Sequence, residues 1–138
     1  MEYRAARRED WPYIAAYIAR KKYFLPCNPA ELGGAWIIAV DKIGAIRGTV
    51  WFFSQEPHAY LDYWAADTPR TAARLGVVLE RAFREYIGVK YVHGLIATKN
   101  TAAARMAIGL GMNAQDGYTL VHKELAEWAA KPPQAQPA

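Results

Sequence analysis

Cysteine is almost missing from this chain: Cys27 is the only one. One thiol excludes an internal disulfide and a cysteine-rich zinc cluster, and points to a reducing compartment. Cys27 itself reads as a small, partly buried hydrophobe. Long apolar runs are missing too. None approaches the roughly 20 residues that a membrane-spanning helix needs, so no membrane contact is expected. The opening MEYRAARRED carries no apolar stretch of the signal-peptide kind, and the expected location is the cytoplasm or a particle assembled there. The three histidines are scattered and lack clustered acids, so no metal site is expected.

What is present describes a globule. Hydrophobic residues make up 53% and charged ones 22%, which suits a packed interior and is too little charge for a disordered chain. At 138 residues the chain fits one domain, expected over 1–125. Residues 126–138, rich in Ala, Pro and Gln, read as a disordered tail. The net charge of +4 mildly favours an anionic partner, a nucleotide cofactor or a nucleic acid.

The chain begins with a short strand, Tyr3 to Ala6, and a helix that Asp10 can cap, with Pro12 in its first turn and Trp11, Ile14, Ala15 and Ile18 on one face. LPCNPAELGG, with two prolines and two glycines, predicts a loop holding at most one helical turn. AWIIAV (35–40) and IRGTVWFF (46–53) read as an antiparallel hairpin around DKIGA, and Pro57 separates them from a third strand, AYLDYWAA (59–66). A long helix follows, with Asp67 and Thr68 as candidate caps, Pro69 at its start, and Ala72, Leu75, Leu79, Ala82, Phe83 and Tyr86 as its buried stripe. Gly88 ends it. KYVHGLIA (90–97) reads as a buried strand joined by that crossover, hence parallel to the third run. A short small-faced helix in TKNTAAARMAIGLGM, a turn at Asp116-Gly117 and a last strand near Tyr118 to Lys123 complete the order β, α, β, β, β, α, β, α, β. This is an α/β chain, α+β in the looser sense.

That order, together with Asn100, Ala103, Gly111 and Met112 at the spacing of the segment after the buried strand, resembles the GNAT superfamily of acyl-coenzyme A dependent N-acyltransferases. The resemblance covers about residues 2 to 125. It implies a mixed, mostly antiparallel twisted sheet with one parallel, splayed strand pair. It also implies an acetyl-CoA or related acyl-CoA arm lying in the splay along Tyr63, Trp64, Ala65 and Ala66. The pyrophosphate would sit at the helix start, over Arg70, Thr71, Ala72, Ala73 and Arg74, where backbone donors and the helix dipole favour an anion. Asn100 would cap the short helix and touch the cofactor arm, with Ala103 permitting close approach.

Two departures stand out. RTAARLG has Ala73 and Leu75 where the family's phosphate loop has small residues, and Ala107 replaces the tyrosine that protonates the leaving thiolate. Tyr118 or His122 could stand in as the acid. Asp62 is the leading candidate base, with His58 and Glu56 as alternatives; alternation puts Asp62 on one face with Tyr60 and Trp64. His93 reads as a core histidine.

The expected activity is N-acetyl transfer to an amine, small-molecule or protein. The rival is a catalytically lapsed scaffold, since small chains of this kind also resemble tailed-phage proteins, some of them virion components. Nucleic-acid association through Arg4, Arg7, Arg8 and the Arg20-Lys21-Lys22 run is a third reading. A monomer and a homodimer are both open.

Overall fold

The computed structural model describes residues 1–22, 24–85, 89–96, 100, 101, 104, 105, 108 and 119–124, with backbone alone for 95, 96 and 119–124. Runs of β-branched and aromatic residues become strands: β1 (Glu2–Ala5), β2 (Ala35–Val40), β3 (Ile46–Gln55), β4 (His58–Ala66), β5 (Tyr91–Ile96) and β6 (Thr119–Glu124). They form one sheet in chain order, antiparallel throughout except for the parallel pair β4–β5. The mixed sheet expected from sequence is present.

Two core clusters sandwich it. On one face lies α3 (Pro69–Glu85), whose Ala72, Leu75, Leu79 and Phe83 pack on Ile37, Val50, Phe52, Leu61 and Trp64. Helix and sheet approach closely at Gly48, where a Cβ would stand 2.8 Å from Leu75 Cδ1. On the other face α1 (Trp11–Arg20) buries Ile14, Tyr17 and Ile18 against Trp36, Ile38, Val40 and Ala65. The proline-rich loop yields one helical turn, α2 (Pro29–Leu32), capped by the Asn28 side chain, which accepts from Ala30 N–H at 3.1 Å.

Two cap assignments change. Asp10 occupies the N-cap position of α1 without capping it; its carboxylate takes a bidentate grip from Arg4 (2.7 and 2.9 Å) and accepts the Arg7 N–H. A charged fork outcompetes a lone backbone donor. At α3, Thr68 alone is the cap, accepting from Thr71 N–H at 3.1 Å. Asp67 instead accepts from the Tyr17 hydroxyl (2.7 Å), and Lys21 and Arg47 reach its two oxygens. Burial is the largest influence on the Asp67 carboxyl and pushes it up, but Tyr17, Lys21 and Arg47 together hold it below its ordinary value. These bonds tie the end of β4 to α1 and to β3.

No helix among the described residues is long and apolar enough to cross a membrane. Tyr86, Gly88, Ala103, Ala107, Gly111, Met112, the Asp116-Gly117 turn, Tyr118 and the 126–138 tail lie outside the described residues.

Candidate functional site

Strands β4 and β5 begin side by side and then part. Their parallel register runs from His58↔Tyr91 to Leu61↔Gly94, and no further pair joins them among the described residues, although β4 continues to Ala66 and β5 to Ile96. Among the described residues a gap therefore opens along Asp62–Ala66.

The backbone of β4 is bent at that point. Its pairing with β3 shifts between Trp51↔Asp62 and Thr49↔Ala65, and Tyr63 takes the left-handed value φ 51, unusual for a residue with a Cβ. This bulge carries one extra residue, so the side-chain alternation reverses across it. Leu61 and Trp64 both face α3, while Tyr63 and Ala65 face α1. The expected shared face of Tyr60, Asp62 and Trp64 is thus corrected: the bulge turns Trp64 to the opposite face, where its Nε1 donates to the Ala72 carbonyl at 3.1 Å.

The same bend sets the backbone donors and acceptors. Tyr63 C=O accepts from the Thr49 hydroxyl of β3 (2.9 Å), so the Trp64 N–H across that trans peptide points away from β3. Asp67 N–H donates to Arg47 C=O of β3 (2.9 Å), which turns Ala66 C=O toward the gap by the same reasoning. Trp64 C=O also points into the gap, where the buried Asn100 donates to it from Nδ2 at 3.0 Å. Asn100 C=O in turn accepts from Ala104 N–H, so one residue both starts the following helical turn and spans the mouth of the splay.

At the start of α3 the donors are largely taken. Pro69 has none, Thr71 N–H goes to Thr68 Oγ1 and Ala72 N–H to Thr68 C=O. Thr71 and Ala72 are buried, whereas Arg70 and Arg74 are exposed one turn apart. Within 70–74 the side chains offered to solvent are two guanidinium groups, with Ala73 half-buried between them.

Asp62 sits at the bulge, half-buried, its Oδ1 accepting from Tyr63 N–H at 2.7 Å. Burial pushes its carboxyl above the ordinary range, and the Tyr63 N–H offsets only part of that. Around it Tyr63 packs with Phe24 and Trp36 at ring separations of 5.4 and 5.5 Å. Cys27 is half-buried beside them, its thiol pushed up by burial and then by the Asp62 charge. An aromatic wall with one carboxyl group therefore borders the gap on the α1 side.

No family model and no curated protein sequence matches the chain. Solved structures do. A GNAT-family acetyltransferase from Staphylococcus aureus Mu50 superposes with a TM-score of 0.73 at 11% identity, over 90% of this chain and 98% of that one. The Sinorhizobium meliloti GNAT-superfamily phosphinothricin acetyltransferase, in complex with AcCoA, gives 0.67 at 16% identity, over 97% and 93%. The Escherichia coli GNAT-family N-acetyltransferase YhbS, in complex with CoA, gives 0.66 at 17% identity, over 96% and 86%. The fold is the GNAT fold. These three come from bacteria, and the resemblance to phage proteins gains no support from them.

Within that GNAT fold the candidate residues divide. Tyr63 to Ala66, Asn100, Asp62, Arg70 and Arg74 border the gap or the helix start beside it. His58 and Glu56 do not: Glu56 is exposed in the turn before β4, and His58 is at the far end of the strand. His122 stands opposite His93 in the register of β5 and β6, in the stretch where β5 is still paired with β4. The proposed basic cluster is partly spent, with Arg4 held by Asp10, and Arg20 and Lys21 over the Tyr17 ring. Sequence reading missed Thr49, Tyr17 and the bulge; only the bulge left a trace, as a polar residue inside the apolar run LDYWAA.

Proposed function

We propose that the chain is an acyl-coenzyme A dependent N-acyltransferase. The observation that carries this reading is the free edge of β4 in the splay, with Trp64 N–H and Ala66 C=O turned into a gap of the kind a pantetheine arm can enter as an added strand. Bound CoA in YhbS and AcCoA in the phosphinothricin acetyltransferase, both of this fold, support it. Acetyl-CoA would supply the activated acyl group as a thioester.

The chain's own residues would do the rest. Trp64 N–H donates from the bulge, a position suited to an acyl oxygen that gains charge as an amine attacks. Asn100 holds the Trp64 carbonyl, one peptide further along β4 and on the same side as that donor, and so steadies the bulge that directs it. Arg70 and Arg74 offer charge-assisted contacts to phosphate, compensating for the donors that Thr68 occupies. Asp62 takes the proton of an acceptor ammonium; its raised affinity for a proton brings it nearer the range a general base needs at neutral pH. The acceptor is an amine that fits beside Phe24, Trp36 and Tyr63.

The rival is a scaffold that keeps the fold without the reaction, favoured by the occupied donors at the start of α3. Release of free thiol from acetyl-CoA, followed against a panel of primary amines, separates the two. Turnover that falls about 10²- to 10⁴-fold in Asp62→Asn supports the transferase. No turnover with any amine, in a protein that binds no acetyl-CoA, supports the scaffold.

A further inference from the structure

Strands β3, β4 and β5 carry a single carboxylate between them, that of Asp62. Rings line the face around it. Phe52 and Leu61 pack toward α3, so their neighbours Trp51, Phe53, Tyr60 and Asp62 face the other way. Register sets Trp51 opposite Asp62 and Phe53 opposite Tyr60, and opposed residues of an antiparallel pair stand with Cβ atoms about 4.5–5.5 Å apart. Trp51 is fixed by its Nε1, which donates to Gly33 C=O at 2.9 Å, and its ring lies 8° from the plane of Phe53 at a separation of 6.5 Å. Tyr60 stacks on His93 of β5 at 5.2 Å. Phe53 and Tyr60 belong to neither core cluster and are 44% and 39% exposed. An open aromatic floor therefore runs from Asp62 toward the start of β4. The wall of Phe24, Trp36 and Tyr63 stands at its other end, past Asp62.

We propose that this floor selects the acceptor: an arylalkylamine, with its one ammonium at Asp62, its ring over Phe53 and Tyr60, and no second charge. The inference rests on the acyltransferase reading and narrows the amine. Charge is the first argument. One carboxylate meets one ammonium; the second ammonium of a polyamine would lie over β3–β5 with no carboxylate to meet it, and an amino acid would bring its own carboxylate against Asp62. Reach is the second: alternate residues of a strand, such as Tyr60 and Asp62, are roughly 6.6 Å apart, a step that a linker of about two to four carbons spans. Area is the third. At roughly 200 Å² a ring, the exposed parts of Phe53 and Tyr60 come to roughly 170 Å², room for one ring and far below the roughly 800 Å² per partner of a stable protein interface, so the floor suits a small ligand and not a second copy of the chain.

The test follows thiol release from acetyl-CoA by the full chain with phenethylamine, ethylamine and spermidine. The kcat/KM for phenethylamine is expected to exceed that for either other amine at least about tenfold. Phe53→Ala and Tyr60→Ala, both at exposed rings, should each lower it about threefold to tenfold through KM, with ethylamine turnover and acetyl-CoA binding unchanged. Equal use of the three amines, or variants that leave the ratio of phenethylamine to ethylamine unchanged, would overturn the inference and leave acyl transfer standing. Binding separates the two readings where no amine turns over. In the presence of coenzyme A, magnetisation saturated on the protein should reach the ring protons of phenethylamine at about 1 mM, and the transfer should fall in Tyr60→Ala. Such transfer without turnover supports the floor and counts against the transferase; no transfer from the unmutated chain overturns the floor, whether or not acetyl-CoA binds.

Discussion

Replacing Asn100 by alanine tests how the splay is held. The side chain is buried, 5% exposed, and its Nδ2 donates to Trp64 C=O at 3.0 Å. Alanine removes that donor and leaves the buried Trp64 carbonyl without the Asn100 partner. A lost hydrogen bond of this kind is worth about 1 kcal/mol, and a buried acceptor left unpaired costs about 1–3 kcal/mol, so roughly 2 kcal/mol is expected. With a urea slope of about 2 kcal/mol/M the unfolding midpoint should fall by about 1 M. Asn100→Asp should be worse, because it sets an acceptor against an acceptor. Burial and the carbonyl would hold that new carboxyl above its unfolded value of about 3.9. The native state would then bind the extra proton, and stability should decline as pH rises from about 4 through the raised native value. Urea unfolding of the three proteins at pH 4 and pH 7 reads this out. A midpoint for Asn100→Ala within about 0.3 kcal/mol of the parent, or an Asp variant no worse than the Ala variant at pH 7, would refute the reasoning.

Other expectations follow from single contacts. Gly48→Ala should cost about 1–3 kcal/mol by thermal unfolding, since its Cβ would meet Leu75 Cδ1 at 2.8 Å and the Ala65 carbonyl at 3.1 Å. Tyr17→Phe should cost about 1.5–3 kcal/mol at neutral pH, because it strips a 2.7 Å donor from the Asp67 carboxylate. That loss should shrink in acid: the Asp67 carboxyl is held below its ordinary value, so its stabilisation is present above about 3.9 and fades as pH falls through the native value. Asp62 has the opposite sign. Burial raises it, the native state holds the proton longer, and stability falls as pH climbs from about 3.9 to the native value, so Asp62→Asn should be the more stable protein at pH 7 in denaturant titrations.

Much of the architecture was legible because it rests on local patterns. Apolar runs separated by DKIGA and by Pro57 mark β2, β3 and β4 to within a few residues, and the stripe through Ala72, Leu75, Leu79 and Phe83 faces the sheet as its 3.6-residue period requires. The element order then suffices for the parallel β4–β5 crossover. What was not legible depends on the third dimension. Nothing local marks Tyr63 as the residue that takes φ 51, and one extra residue there sends Trp64 to the face opposite the one alternation predicts. Asp10 reads as a cap until Arg4, brought near by β1, claims both its oxygens. The histidines look scattered because strand register, which carries no signal in the spacing of single residues, is what sets His93 beside His58 and opposite His122.

The gap beside β4 is the centre of the functional reading, and calorimetric titration of the full chain with acetyl-CoA addresses it most directly. Micromolar, one-to-one binding is predicted, weakened at least about tenfold when Arg70 and Arg74 are both changed to alanine. A folded protein that gives no heat at about 1 mM acetyl-CoA, or one that binds it equally well without the two arginines, would contradict the account.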